Sequence, residues 1–252
     1  MSRFLAMREM SLVCILLVSL LEVPVFSEEL KTYHSNGKLD RLENFKNGKY
    51  DGISKKFSPK GKLLGEWLYR DGHLEGISKI YYENENLKME SNFVHGKQEG
   101  LSRQYYNDGT LWIEELYRHG KLEGFQKEYY RSGQLYKKKT YKNNHLEGFY
   151  RAYSINGSLV SLIPYTQSLT NGELKFFFKT NVLSKTQTYV MGIKEGPWKE
   201  YYESGELKKE GRHRNHAKNG VEREYYKSGV LKSELLRELS YIEGIAKSYY
   251  EN

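Results

Sequence analysis

Residues 99–111 read EGLSRQYYNDGTL, and this stretch recurs with substitutions along most of the chain. A glycine stands at residues 52, 76, 100, 124, 148, 172, 196, 220 and 244, which is a constant step of 24 residues. Each glycine is followed five positions later by Tyr or Phe, and each of the first eight is followed eleven positions later by Leu. Such a fixed period is typical of repeat proteins, in which one supersecondary unit stacks on the next.

One unit contains two extended segments and two turns. Residues 124–130 and 135–141 are the extended segments, and Arg131-Ser132-Gly133 between them supplies a glycine for a positive φ in a short hairpin loop. Residues 143–148 turn the chain into the next unit, and other units hold Asn-Gly or Asp-Gly at the start of this turn. A glycine every dozen residues would interrupt any helix of useful length. The sequence therefore predicts an all-β chain of antiparallel hairpins.

The pattern of the units resembles the MORN repeat variant. Its parts are Glu-Gly-x-x-Lys/Arg-x-Tyr-Tyr-x-x-Gly-x-Leu and then Tyr-x-x-Gly-Lys-x-Glu-Gly, which residues 127–135 and 117–124 show most clearly. The resemblance extends over residues 28–252, or about nine to ten units. It implies an elongated repeat protein whose 24-residue β-hairpin units form a twisted single-layer antiparallel sheet. Such repeats serve mostly as binding or spacing scaffolds and occur in bacterial secreted proteins and in the YwqK-family antitoxin group.

The first 27 residues have the three parts of a secretory signal peptide. Arg3 and Arg8 precede an apolar run at residues 12–21, and Ser27 ends a suitable cleavage site. An uncleaved anchor is the alternative, but this run is much shorter than the roughly 20 residues that cross a bilayer. We therefore expect a signal peptide at residues 1–27 and a repeat domain at 28–252, without a transmembrane span in the mature form. The protein would be exported to the periplasm, the cell envelope or the extracellular space, and its only cysteine, Cys14, would be removed.

A cationic column runs through the units three positions after each glycine: Lys55, Lys79, Arg103, Lys127, Arg151, Lys175, Lys199, Arg223 and Lys247. In a structural interpretation, the residue before the glycine, which is acidic in seven of the nine units, pairs with the cation four positions later, as Glu99 with Arg103, while the stem of the cation covers a tyrosine ring. In a functional interpretation, the column binds an anionic polymer or lipid headgroups. The candidate binding residues are Lys79, Arg103, Lys127, Arg151 and Lys175, with the aromatic residues Tyr106 and Tyr130.

The pattern breaks in the two units that follow residue 148. The first has Ser154 in place of the second tyrosine, and the next has Asn171 in the acidic column and Asn181 in place of the hairpin glycine. These departures are either sequence drift or a kink that presents an apolar patch, which would be a candidate protein-binding site. The side chains of such a patch would be Leu174, Phe176 and Phe178.

The sequence contains no recognisable catalytic constellation. Its histidines lie almost entirely in the expected turns, and His95 and His119 stand one unit apart, about 10 Å, which is too far to share a metal ion. His213 and His216 have no carboxylate or cysteine nearby and are interpreted as part of a solvated turn. We therefore expect no catalytic residue, no metal and no cofactor, and export makes nucleic acid an unsuitable partner.

These observations favour an exported, non-enzymatic repeat scaffold that binds an unidentified protein partner. A different class of function is adhesion to anionic envelope polymer or lipid headgroups through the Lys and Arg column. Neutralisation of a toxin is implied only by the resemblance. Ionic strength separates the first two, because adhesion through exposed charges weakens as salt rises and an apolar protein contact does not.

Overall fold

The computed structural model describes residues 26–251 of the chain. These residues form a single sheet of 24 strands and contain no helix, so the all-β class predicted from the sequence is confirmed. Of the expected signal peptide, residues 1–25 lie outside the described part. The first strand begins at Ser27, and the carbonyl of the preceding Phe26 accepts a hydrogen bond of 2.9 Å from the backbone N–H of Asn47.

The strands are hydrogen-bonded in chain order and antiparallel. They are β1 Ser27–Tyr33, β2 Leu39–Lys46, β3 Lys49–Tyr50, β4 Gly52–Phe57, β5 Leu63–Arg70, β6 His73–Leu74, β7 Gly76–Tyr81, β8 Leu87–Val94, β9 Lys97–Tyr105, β10 Leu111–Arg118, β11 Lys121–Tyr129, β12 Leu135–Lys142, β13 His145–Leu146, β14 Gly148–Tyr153, β15 Leu159–Thr166, β16 Leu169–Thr170, β17 Gly172–Phe177, β18 Leu183–Val190, β19 Ile193–Tyr201, β20 Leu207–Arg214, β21 Ala217–Lys218, β22 Gly220–Tyr225, β23 Leu231–Glu238 and β24 Tyr241–Ser248.

The unit around Gly124 shows how the hairpins join. β10 pairs with β9 on one side and with β11 on the other, so Glu114 lies opposite Arg103 and also opposite Lys127. The sequence predicted an extended segment from residue 124, whereas β11 already begins at Lys121. The difference arises because the turn between units is tighter than the predicted 143–148 segment and takes only two residues.

Two kinds of tight turn connect the strands, and both contain residues with positive φ, as predicted. Within a unit, the backbone N–H of Gly109 donates to the carbonyl of Tyr106 at 2.9 Å, and Gly109 has a φ of +89°. A three-residue loop with a left-handed last residue is a common hairpin connection. Asn181 occupies this position in one irregular unit with a φ of +64°, which asparagine tolerates better than most residues.

Between units, both residues of a two-residue turn have positive φ, as in Asn47 (+50°) and Gly48 (+73°). This is a type I′ turn, whose twist matches that of the paired strands. The repeat glycine lies a few residues beyond such a turn, and its φ is +105° at Gly124. A Cβ on Gly124 would lie 2.9 Å from Cδ2 of Leu116. All nine glycines of the column have positive φ, so the column marks a bulge whose backbone conformation favours glycine, and at Gly124 a side chain would also lack room.

The sheet has two faces of different chemistry, which we name the ladder face and the inner face. On the first strand of a unit, residues one and three positions after the repeat glycine point to the ladder face, and those two and four positions after it point to the inner face. Most of the deeply buried side chains lie on the inner face, among them Ser91 (1% exposed), Ser102 (3%), Trp198 (3%) and Leu174 (6%), whereas Ser58 begins a hairpin loop and Thr186 lies on the ladder face. Most of the recurring tyrosines and leucines are only half-buried, because no second layer covers them.

Candidate interaction surface

The ladder face carries a row of side chains that we call the charged row. Its members lie directly opposite one another on successive strands, because the period brings residues three and fourteen positions after each glycine into register. In chain order they are Leu42, Lys55, Glu66, Lys79, Glu90, Arg103, Glu114, Lys127, Lys138, Arg151, Leu162, Lys175, Thr186, Lys199, Glu210, Arg223, Glu234 and Lys247. The cationic column seen in the sequence is one half of this row.

Cations and glutamates alternate towards both ends of the charged row and pair across strands. Nε of Arg103 lies 3.1 Å from Oε2 of Glu114, and Nη1 of Arg103 lies 3.5 Å from Oε1 of Glu90. Nζ of Lys127 lies 3.2 Å from Oε1 of the same Glu114. These side chains are partly exposed, so each pair contributes less than about 1 kcal/mol to stability. The alternation neutralises the cations wherever the glutamates are present.

All five cations proposed from the sequence lie in the charged row. Lys79 lies between Glu66 and Glu90, and Arg103 and Lys127 make the pairs described above. Arg151 has Lys138 and Leu162 as its row neighbours. Nζ of Lys175 lies 3.4 Å from Oε2 of Glu173, two residues away on its own strand.

In six of the seven units with an acidic residue before the repeat glycine, this residue binds a turn and not the cation four positions later, so that prediction is wrong. Oε2 of Glu99 accepts a hydrogen bond of 2.7 Å from the backbone N–H of His119, in the following turn between units. Four residues of extended chain span about 13 Å, whereas directly opposed side chains start about 5 Å apart. The same bond is accepted by Asp51, Glu75, Glu99, Glu123, Glu147, Asn171 and Glu195.

The tyrosine five positions after the repeat glycine reinforces the charged row. The hydroxyl of Tyr105 donates to Oε1 of Glu90 at 2.9 Å, and burial, together with this carboxylate, raises the pKa of Tyr105 to about 12. The same bond joins Tyr225 to Glu210 at 2.8 Å. Two units hold phenylalanine here, and in both the row residue fifteen positions earlier is a leucine: Phe57 with Leu42, and Phe177 with Leu162.

The two aromatic candidates, Tyr106 and Tyr130, join neighbouring units. The hydroxyl of Tyr106 donates to the carbonyl of Tyr129 at 2.9 Å, and that of Tyr130 donates to the carbonyl of Tyr153 at 2.9 Å. The ring of Tyr106 also lies 5.7 Å from that of Trp112. Both tyrosines therefore have a structural role within the sheet.

A second row, which we call the apolar row, runs beside the charged row at about 6.8 Å, the length of two strand residues. Ile77 is 57% exposed, Ile53 48% and Phe149 43%. Nζ of Lys127 lies 4.3 Å from the centre of the Phe125 ring. The members of the apolar row are Ile53, Leu68, Ile77, Asn92, Leu101, Leu116, Phe125, Thr140, Phe149, Pro164, Glu173, Thr188, Pro197, Arg212, Val221 and Leu236.

The remaining candidates lie away from the ladder face or at its margin. Leu174 is buried on the inner face, where Phe176 is half-buried, so Leu174 cannot contribute to an exposed apolar patch. Phe178 begins a hairpin loop and is half-buried. His213, which the sequence placed in a solvated turn, is a half-buried residue of β20, and its Nδ1 lies 3.3 Å from Nε2 of Gln187. Burial and the nearby Lys194 and Lys218 lower the pKa of His213.

The described residues offer neither a metal site nor a membrane-spanning helix. Within residues 26–251, no three His, Cys, Asp or Glu side chains come together in a way that would hold a metal ion. Nor do residues 26–251 include a helix with the length and apolar character needed to cross a membrane.

Seven segments of the chain match the model of the MORN repeat variant: residues 29–47, 50–71, 74–95, 98–119, 122–143, 194–215 and 218–238. The chain belongs to the MORN repeat variant family. MORN repeats form repeat scaffolds, often for protein or membrane interaction, and are not typically enzymatic. The resemblance drawn from the sequence is therefore confirmed.

The fold continues where the MORN pattern is not matched. Residues 144–193 lie between the fifth and sixth matched segments, yet β14 to β18 form the same hairpins in the same register as the other units. This central part contains the irregular units noted in the sequence. Its residues therefore keep the fold while departing from the family pattern.

Comparison with other proteins adds little beyond the family. No curated protein matches the sequence. Among solved structures, the chain is similar to one in the crystal structure of TcdB2-TccC3-Cdc42, with 12% identity and a TM-score of 0.21. The likeness covers 83% of this chain and only 14% of that one.

Proposed function

We propose that this MORN-variant protein is an exported, non-enzymatic scaffold that binds a partner protein along its ladder face. The observation that carries the proposal is the apolar row. In a one-layer sheet nothing within the described chain covers it, and side chains such as Ile77 and Phe149 remain 57% and 43% exposed. Exposed apolar side chains gathered on one surface are a feature of interaction sites.

Part of the inner face is less suited to a partner, because many of its polar groups already bind one another, while the hydroxyls of Ser54 and Ser78 and Nε1 of Trp198 are buried there without a hydrogen-bond partner. The hydroxyls of Ser91 and Ser102 lie 2.7 Å apart. Glu128 lies 2.9 Å from Nζ of Lys139 and 3.3 Å from Nζ of Lys137. A ligand on this face would have to replace these bonds, which offsets what it gains.

Adhesion to an anionic polymer or to lipid headgroups along the whole cationic column is less well supported. Towards both ends of the row, cations such as Lys79 and Arg103 alternate with glutamates, so a polyanion along the whole column would meet carboxylates there at every second strand. Like charges brought together in this way repel one another. Neutralisation of a toxin would be one case of the protein binding that we propose.

Export rests on the first 27 residues, with the basic start, the apolar run and the cleavage site that follow one another there. No cysteine follows residue 27. The repeat sheet therefore does not depend on a disulfide, even in an oxidising compartment. N-terminal sequencing of the protein recovered from the producing cell tests this cleavage. The mature chain is expected to begin at residue 28.

The function is tested by crosslinking the protein in cells of its source and identifying partners by mass spectrometry at low and high salt. The apolar-row variant is Ile77→Ser with Leu101→Ser, and its matched control is Val94→Ser with Val190→Ser, which are 40% and 50% exposed outside the row. At each salt concentration we expect one specific partner to be lost with the row variant and kept with the control. Equal capture by both variants would rule out the ladder face as the binding surface.

A further inference from the structure

The charged row changes composition in its centre. In other units the position fourteen residues after the repeat glycine holds a glutamate, as at Glu90, Glu114 and Glu210. In three successive units it holds Lys138, Leu162 and Thr186 instead. The row thus has seven consecutive positions with five cations and no carboxylate: Lys127, Lys138, Arg151, Leu162, Lys175, Thr186 and Lys199.

We call these seven positions the central stretch. Six strand spacings separate its ends, which is about 29 Å. Lys127 shares Glu114 with Arg103 at one end, and at the other Nζ of Lys199 lies 3.9 Å from Oε2 of Glu210. Within it, Glu173 of the apolar row contacts Lys175. The central stretch therefore keeps a surplus of positive charge that the rest of the row does not have.

The hydroxyl donors that accompany the glutamates elsewhere are partly retained here. Tyr153 and Tyr201 stand fifteen positions after Lys138 and Thr186, where Tyr105 and Tyr225 donate to glutamates in other units. The cations and hydroxyls that surround a glutamate carboxylate in other units are thus present here too, but Lys138 and Thr186 stand where the glutamate would be.

We propose that the central stretch binds an acidic polypeptide segment, whose carboxylates lie over the row and supply the negative charge that glutamates supply in the other units. The inference rests on the proposed function and adds to it the position of the site and the chemistry of the partner. Phe125, Phe149 and Pro164 of the apolar row run alongside at about 6.8 Å. Apolar side chains of the same segment, which would lie along the charged row, would therefore contact the second row beside it.

Two other polyanions fit the surface less well. A polyphosphate would satisfy the cations but would leave the ring of Phe149, which is 43% exposed, without an apolar partner. A flat anionic bilayer would meet only part of the central stretch, because neighbouring strands of a sheet are rotated by roughly 20° and the row twists over its seven positions.

The probe is a fluorescein-labelled peptide with three copies of Glu-Leu-Glu-Ser, and binding to the full chain is measured by fluorescence anisotropy. The main variant, Lys138→Glu with Leu162→Glu, supplies the missing glutamates from the protein itself. The control, Lys60→Glu with Lys227→Gln, makes the same change in net charge at exposed residues away from the row. Arg151→Gln is a second variant that removes a cation without adding a carboxylate.

We expect the wild-type protein and the control to bind the peptide alike, and the glutamate variant to bind about 30-fold more weakly. Arg151→Gln should weaken binding by about 3-fold to 10-fold. Circular dichroism and thermal unfolding establish that each variant is folded, and other units already place glutamate at these positions. A peptide with lysine in place of glutamate should not bind.

Three results would overturn the inference. The first is that the wild-type protein fails to bind the acidic peptide, and the second is that the glutamate variant binds it as tightly as the control does. The third is that polyphosphate or phosphatidylglycerol vesicles bind the central stretch more tightly than the peptide does. None of these results affects the outcome of the crosslinking test with the Ile77→Ser and Leu101→Ser variant. A partner captured there without peptide binding would leave the proposed function standing and remove this inference alone.

Discussion

The hydroxyl of Tyr106 donates a hydrogen bond of 2.9 Å to the backbone carbonyl of Tyr129, 23 residues further along the chain. It joins the hairpin loop of one unit to the strand of the next. The same bond links Tyr82 to Tyr105, Tyr130 to Tyr153, Tyr202 to Tyr225 and Tyr226 to Tyr249. In the irregular units the donor is replaced by Ser154 and Phe178, so the repeats there lack one of the bonds that hold their neighbours.

Replacing Tyr130 by phenylalanine should therefore destabilise the sheet by about 1 kcal/mol, because a hydrogen bond is lost while the ring is kept. Chemical denaturation measures the difference. Tyr250→Phe is the matched control, since this tyrosine stands in the same column and is 89% exposed. Equal stability of the two variants would contradict the role given to the tyrosine hydroxyl.

The acidic residues that precede the repeat glycines should stabilise the turns between units and slow hydrogen exchange at their amides. Glu99→Ala removes the acceptor of the His119 N–H and should cost about 1 kcal/mol, with faster hydrogen exchange at the His119 amide. Glu99→Gln keeps an acceptor oxygen and should have a smaller effect, as Asn171 does naturally for the N–H of Met191 at 3.2 Å. Unchanged exchange at His119 in the alanine variant would show that the bond has no role.

Gly211 faces the ring of Trp198, which is 3% exposed. A Cβ at Gly211 would lie 2.9 Å from both Cζ2 and Nε1 of that ring. Gly211→Ala should displace the ring and destabilise the protein by about 1–3 kcal/mol. Tryptophan fluorescence with Trp67 and Trp112 replaced by phenylalanine reports on Trp198 alone, and a shift to longer wavelength is expected. An unchanged spectrum would contradict the packing.

Stability should fall in acid, partly through Glu128. Burial alone would raise the pKa of Glu128, but its hydrogen bonds and ion pairs with Lys139 and Lys137 outweigh burial and lower the pKa below 4.5. A carboxyl with a lowered folded-state pKa stabilises the protein above its unfolded value and loses this contribution as pH falls through the folded value. Glu128→Gln should therefore flatten the decline in unfolding free energy below about pH 4.5. The same slope in both proteins would refute the assignment.

The period of the sequence was sufficient to predict the hairpins and the positive φ of both turns. Gly109 and Asn47 are residue types whose backbone preference is local, so the sequence carries the signal directly. The resemblance to the MORN repeat variant was drawn from the same recurring glycine, tyrosine and leucine positions. The two-residue length of the turn between units was missed because Asn143-Asn144 has no glycine to mark the turn.

The partners of the charged groups could not be read from a single strand. Glu99 and Arg103 are close in sequence but extended chain separates them, whereas Arg103 and Glu114 meet only when the register is known. A signal was present, since glutamate recurs fourteen positions after the repeat glycine. The buried serines were also missed, because Ser91 and Ser102 are polar and are covered only by their neighbours on the inner face.

The ladder face is one continuous surface only if its rows continue in register through residues 144–193, where the family pattern is not matched. A disulfide tests this directly, in a chain with Cys14→Ser so that no other thiol competes. Leu162→Cys with Lys175→Cys places two directly opposed residues on the ladder face and should oxidise completely. Leu162→Cys with Leu174→Cys places them on opposite faces and should stay reduced. Crosslinking of the second pair instead of the first would mean that the register is shifted by one residue and would contradict the account.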